Sequence, residues 1–118
     1  MTEEKAQHIV SQWIKYWNEK SLNEYMNLLS DDVEIVSSLT LRLIPESNGH
    51  LKGKKILQEY WDLVRKKLPN FKFEFSHLFT YDNKIIVHYT TFDKTNKAIA
   101  ILTINQNELI SKMEISYI

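Results

Sequence analysis

Apolar residues recur at helical spacing in three stretches of this chain and alternate with polar ones in five. The first stripe is Ala6, Ile9, Val10, Trp13 and Trp17. It follows Thr2, Glu3 and Glu4, a capping hydroxyl and two carboxylates on the positive end of the helix dipole, so a helix is predicted over residues 3–18. "SLNE" has the form of a capping box, with Ser21 capping and Glu24 reaching back. It opens a short second helix carrying Leu22, Tyr25, Met26, Leu28 and Leu29, which "SDD" stops, and "VEIVSS" reads as the first strand. Residues 39–52 are ambiguous: Pro45 and "ESNGH" argue for a loop, with room for a short strand at Leu39–Leu43.

"GKKILQEYWDLVRKKLPNFKFEF" changes its period at Leu68-Pro69-Asn70. Before the proline, Ile56, Leu57, Tyr60, Trp61, Val64 and Leu68 form the inward side of a helix whose basic end "RKK" suits its C-terminal dipole. After it, apolar residues alternate. The turns "YDNK", "DKTNK" and "NQNE" separate strands at about 71–81, 84–93, 97–104 and 109–118. The order α-α-β-α-β-β-β-β predicts one α+β domain over residues 1–118. Its curved, mostly antiparallel sheet wraps a long helix to make a cone.

Turn geometry sets the register. With Asp82-Asn83 as a two-residue turn, Leu78 opposes Val87 and Thr80 opposes Ile85. Continued rigidly, this register turns Phe71, Phe73 and Phe75 away from Val87 and Tyr89. A bulge at Ser76-His77 returns Phe73, Phe75, Leu78, Val87 and Tyr89 to one face, and strands of this length need such help to curl. The bulge reading is the preferred one. With "DKTNK" closing the next hairpin, Thr91 then faces Ala100 and Asp93 faces Ala98.

Trp13 with "YWNEKSLNEYMNLLSDDVEI", and then "LKGKKILQEYWDLVRKKLPNFKFEF", resemble the nuclear transport factor 2-like superfamily, in its SnoaL-like and ketosteroid isomerase-like branch. The first run is similar to the family's aromatic, Asn, short helix, Asp-Asp, strand segment. The second is similar to its Gly, Ile, Tyr-Trp helix ending in Pro. The resemblance covers nearly the whole chain and implies a cystatin-like roll, but its residues are caps and core positions that specify scaffold. In isomerase-like members a general-base carboxylate stands late in the first strand, where this chain has Ser37. The oxyanion hole there uses a tyrosine in the first helix and an acid on a central strand, and these positions correspond to Trp13 and Ala100. Serine has no useful basicity and alanine donates nothing, so a steroid isomerase is not expected.

The inward positions give an expected ligand cavity lined by Trp13, Trp17, Ser37, Tyr60, Phe73, Phe75, Tyr89, Thr91 and Ala100, with Met113 a further candidate. Any one of these aromatics is ordinary core. Together, large rings with hydroxyls among them and two facing alanines are the usual composition of a small-molecule pocket. Asp93 is the one carboxylate this register turns inward, and a solvated turn aspartate paired with Lys72 or Lys97 is the simpler reading of it. His8 reads as exposed and His50 as a loop residue.

Composition narrows the function classes. Fifteen basic and fifteen acidic residues cancel, leaving no electrostatic footprint for nucleic acid or an anionic membrane. The absence of cysteine excludes disulfides, thiolate catalysis and cysteine metal sites. "MTEEKAQHIV" has no signal-peptide character and no apolar run approaches bilayer length, so a cytoplasmic protein is expected. No phosphate loop, dinucleotide fingerprint or serine elbow is present, and no metal or cofactor is expected.

Two functions of different class remain open. One is a cavity protein for a small apolar molecule, with isomerase, cyclase or dehydratase chemistry within its reach. The other is a non-catalytic dimeric module. A homodimer is expected through the outer sheet face, which carries Phe79, Ile86, Thr90, Phe92, Ile99 and Ile101. The same bulge sets His77 beside His88 on that face, open to reading as a pH-sensitive pair, an incomplete metal site or two independent side chains.

Overall fold

The computed structural model describes residues 1–91 and 96–118. Helix α1 (Glu3–Asn18) begins as predicted: Thr2 Oγ1 accepts from the Lys5 N–H at 3.1 Å. Ala6, Ile9, Val10 and Trp13 form its buried stripe. Ser21 precedes α2 (Leu22–Asn27) but makes no side-chain cap hydrogen bond. Its backbone, at φ −90° and ψ 80°, departs from the extended form that aims a capping oxygen at the first free amides, so the predicted capping box is not made.

Strand β1 (Leu29–Ser37) starts earlier than expected, because "SDD" lies inside it. Asp31 and Asp32 face solvent while Leu29, Ser30, Val33, Ile35 and Ser37 are buried, and the polar pair disguises the strand in the sequence. The ambiguous segment is ordered. Ser38–Leu43 is a helix, α3, and not a strand, because Ser37 caps it by accepting from the Thr40 N–H at 3.0 Å. A single 3₁₀ turn (Pro45–Ser47) follows, then Asn48 and Gly49 at positive φ return the chain to β2 (His50–Lys52). A side chain at Gly49 would stand 3.3 Å from the Ser37 carbonyl oxygen, so the return is tight.

Helix α4 (Lys54–Lys67) buries Leu57, Tyr60, Trp61 and Val64. Ile56, expected inward, is 46% exposed, since it stands one position off that i, i+3, i+4, i+7 stripe. Strands β3 (Phe73–Tyr81), β4 (Lys84–Thr91), β5 (Lys97–Ile104) and β6 (Ile110–Tyr117) form the expected meander. Beside them β1 lies parallel to β6 and antiparallel to β2, giving a mixed sheet in the order β2-β1-β6-β5-β4-β3.

The predicted bulge is present: Phe75 pairs with Tyr89, His77 with His88, and Leu78 with Val87. The next hairpin differs. Ala100 pairs with Val87 and Tyr89 with Ala98, so the Thr91–Ala100 pairing does not form; the Thr91 N–H instead donates to the Asn96 carbonyl at 2.9 Å. Each β4 residue therefore pairs four positions away from the partner that "DKTNK" suggested. Because the partner shift is even, the inward face is unchanged. Asp93 and Phe92 lie outside the described residues. No helix among the described residues is long and apolar enough to cross a membrane.

Candidate functional site

The inner wall of the cone is a ladder of rings fixed by backbone hydrogen bonds. Asn18 holds the end of α1 to the first residue of β3: its Nδ2 donates to the Phe73 carbonyl at 2.7 Å, and its Oδ1 accepts from the Phe73 N–H at 2.8 Å. Trp17 donates its Nε1–H to the Phe71 carbonyl at 2.7 Å and stacks on Phe73 with centroids 5.1 Å apart. Trp13 meets Phe73 at 5.3 Å and the edge of Tyr89 at 5.7 Å. Across the space, Trp61 of α4 stands edge-on to Trp17 at 5.7 Å.

Between these walls lies an apolar cavity of about 40 Å³, room for roughly two or three waters. Trp13, Trp17, Ser37, Tyr60, Phe73 and Met113 are among the residues that line it. A wider hollow of about 250 Å³ opens beside it, lined by Ser38, Leu39, Arg42, Leu68, Phe71, Thr91, Asn96 and Tyr117. Leu39, Phe71 and Tyr117 line both spaces and so form the partition between them.

Four predicted lining residues are elsewhere. Phe75 is 42% exposed and turns toward the outer side of α1, against Val10, Ile14 and Leu78, because it lies on the edge strand just before the bulge. Thr91 belongs to the outer hollow, at the end of its strand. Ala100 and Tyr89 are fully buried core. Ala98 pairs with Tyr89 on one side and Tyr117 on the other, so the space above this small residue is taken by tyrosine rings and not left for a ligand. The lining residues missed from the sequence include Tyr25, Trp61 and Tyr117. Trp61 was legible from the α4 stripe, whereas Tyr117 required the β5–β6 register.

No charged side chain lines the inner cavity among the described residues. Its ionisable groups are tyrosines. Burial pushes the hydroxyl pKa of Tyr25 and Tyr117 well above the ordinary tyrosine value. Burial also raises Tyr60, where contact with the Thr40 and Ser37 hydroxyls and the Arg42 charge partly offset it. These groups are neutral donors at physiological pH, not bases. Ser37 has a structural role: its Oγ caps α3 and lies 2.8 Å from Thr40 Oγ1.

Several donors are not matched. Trp61 Nε1–H, Trp13 Nε1–H and the Tyr89 hydroxyl are buried without a hydrogen bond of ordinary geometry. Trp13 Nε1 does approach the Tyr25 hydroxyl, and the Tyr89 and Tyr117 hydroxyls approach each other. Trp61 Nε1 has no such neighbour among the described residues. His50, expected in a loop, lies on β2 and pairs with Glu34 at 2.9 Å on the solvent side. That hydrogen bond holds the Glu34 carboxyl below its usual range. No three potential metal ligands cluster among the described residues.

Comparison with known proteins agrees with this architecture. The SnoaL-like domain family matches residues 10–112. The chain belongs to the SnoaL-like domain family. A SnoaL-like protein of unknown function from Burkholderia thailandensis superimposes on it with a TM-score of 0.92, at 22% identity over 99% of this chain and 97% of that one. An Agrobacterium tumefaciens protein provisionally called an isomerase of the SnoaL-like family gives 0.79, at 12% identity over 98% of each chain. A de novo designed protein with a curved β-sheet gives 0.74, at 14% identity over 98% of this SnoaL-like chain and 87% of the design. At these identities the likeness is one of fold. A search of curated proteins finds no match.

Proposed function

We propose that this SnoaL-like protein binds a small, mostly apolar molecule carrying a hydrogen-bond acceptor, seated in the cone between Trp13, Trp61 and Tyr60. The observation that carries this reading is the Trp61 indole N–H, buried in a cavity-lining side chain with no acceptor. Leaving such a donor unmatched costs about 1–3 kcal/mol, which a carbonyl or ether oxygen of a ligand recovers. The space of about 40 Å³ is smaller than any such ligand, so the ligand's seat extends past Leu39, Phe71 and Tyr117 into the outer hollow. The neutral tyrosine hydroxyls fit polarising a carbonyl better than removing a proton. Isomerase chemistry in this chain therefore rests on analogy of fold with the Agrobacterium neighbour.

The test is a panel of neutral cyclic ketones and ethers, read by tryptophan fluorescence and melting temperature. Binding predicts saturable fluorescence change and a raised melting temperature, with Trp61→Phe weakening affinity by about two- to tenfold. If no member of the panel changes either signal, the reading fails.

A second reading has its own observation. Phe79 is 56% exposed on the outer sheet face, in one row with Ile86 and Ile101 and beside Ile99. We propose that a second copy of the chain covers this face, whether or not the cone is occupied.

A further inference from the structure

The outer hollow differs in chemistry from the cavity it adjoins. Arg42 stands at its rim, exposed on α3, and makes no ion pair among the described residues. Ser38, Thr91 and Asn96 are further polar residues of the lining, with Thr91 Oγ1 donating to the Asn96 carbonyl at 3.4 Å, while Leu68 and Phe71 supply the apolar part. No carboxylate lines this hollow among the described residues. Arg42 shares this hollow with Tyr117 of the partition, and its charge favours the ionised form of that phenol and of Tyr60.

A cation with no ion-pair partner among the described residues, set beside an apolar throat, selects a ligand with two ends. Resting on the cavity reading above, we propose that the ligand is an amphiphilic organic anion. Its apolar ring or chain passes Leu39, Phe71 and Tyr117 toward Trp61, and its carboxylate stays in the outer hollow on Arg42. Guanidinium is suited to this, since its planar fork binds a carboxylate with two parallel hydrogen bonds and stays charged at every accessible pH. The hollow is wide enough for a carboxylate with bound water and opens to solvent, so the anion need not be fully desolvated.

The experiment uses matched pairs that differ only in charge: hydrocinnamate against hydrocinnamamide, and phenylbutyrate against phenylbutyramide. Dissociation constants are measured by tryptophan fluorescence for wild type and Arg42→Gln. Each acid should bind roughly tenfold or more tighter than its amide to wild type, as a charge-assisted hydrogen bond gives. Arg42→Gln should reduce the acid to the level of the amide and leave the amide unchanged, and added salt should erode the wild-type preference. If acid and amide bind wild type equally, or Arg42→Gln weakens both alike, the anion inference is overturned while the cavity reading stands. If no acid or amide binds at all, the cavity reading fails and this inference fails with it.

Discussion

Ser37 Oγ and Thr40 Oγ1 lie 2.8 Å apart, both buried, where β1 turns into α3. The same Ser37 oxygen accepts from the Thr40 N–H, so Ser37 is a helix cap. Ser37→Ala should therefore lower stability by about 0.5–2 kcal/mol, the usual worth of such a cap. Ser37→Thr, which keeps the hydroxyl, should lose less, and neither should abolish ketone binding. Urea denaturation alongside ligand titration checks this; a stable Ser37→Ala protein that has lost all binding would make Ser37 a ligand contact.

Asn18 imitates a strand edge to Phe73, offering one donor and one acceptor to the same backbone residue. Asn18→Ala should cost about 1–3 kcal/mol by leaving a part-buried N–H and carbonyl unmatched. Asn18→Asp at pH 7 should be no better, since a carboxylate has no proton to give the Phe73 carbonyl. Chemical denaturation of the two variants is the measurement, and Asp restoring wild-type stability would refute the two-bond account.

The buried tyrosines predict an alkaline limit. Burial raises the folded-state pKa of Tyr25, Tyr60, Tyr89 and Tyr117 above the ordinary value of about 10 in an unfolded chain. Above pH of about 10 the unfolded chain releases those protons first, so the native state loses relative stability as pH rises, and none of this contribution is lost below that value. Urea midpoints should stay level through neutral pH, fall above about pH 10, and fall together with tyrosinate absorbance. Ionisation of all six tyrosines with folding intact would contradict the burial of these four.

On the outer face His77 and His88 stack with ring centroids 4.2 Å apart, and Phe79 stands edge-on to both. If a second copy covers this face, light scattering should give a dimer mass that Phe79→Glu reduces to a monomer. A monomer at tens of micromolar, on the order of ordinary working concentrations, would remove this reading.

Periodicity carried most of the scaffold. The α1 and α4 stripes, the Asp82-Asn83 turn and the Phe75–His77 bulge follow from spacing, because a buried face tolerates only one register. The cavity was less legible for two reasons. Whether Ala98 and Ala100 leave a void depends on which rings flank them, and that required the β5–β6 pairing of Ala98 with Tyr117. The α3 segment follows no amphipathic rule over six residues; its helical state rests on one serine hydroxyl that a sequence shows only as a Ser among others.

The central claim is that Trp61 presents a free indole N–H to a ligand, and nitrogen-resolved NMR of the three tryptophan side chains tests it directly. Trp17 supplies an internal control, since its Nε1–H already donates to the Phe71 carbonyl, whereas Trp61 Nε1–H has no acceptor. With peaks assigned by Trp→Phe variants, titration with a small cyclic ketone free of aromatic rings, such as cyclohexanone, should move the Trp61 indole resonance downfield and saturably, and further than that of Trp17, whose hydrogen bond is already made. If the Trp61 resonance stays in place across the ketone and ether panel, or already lies where a strongly hydrogen-bonded indole does, the cavity is packed core and the account is wrong.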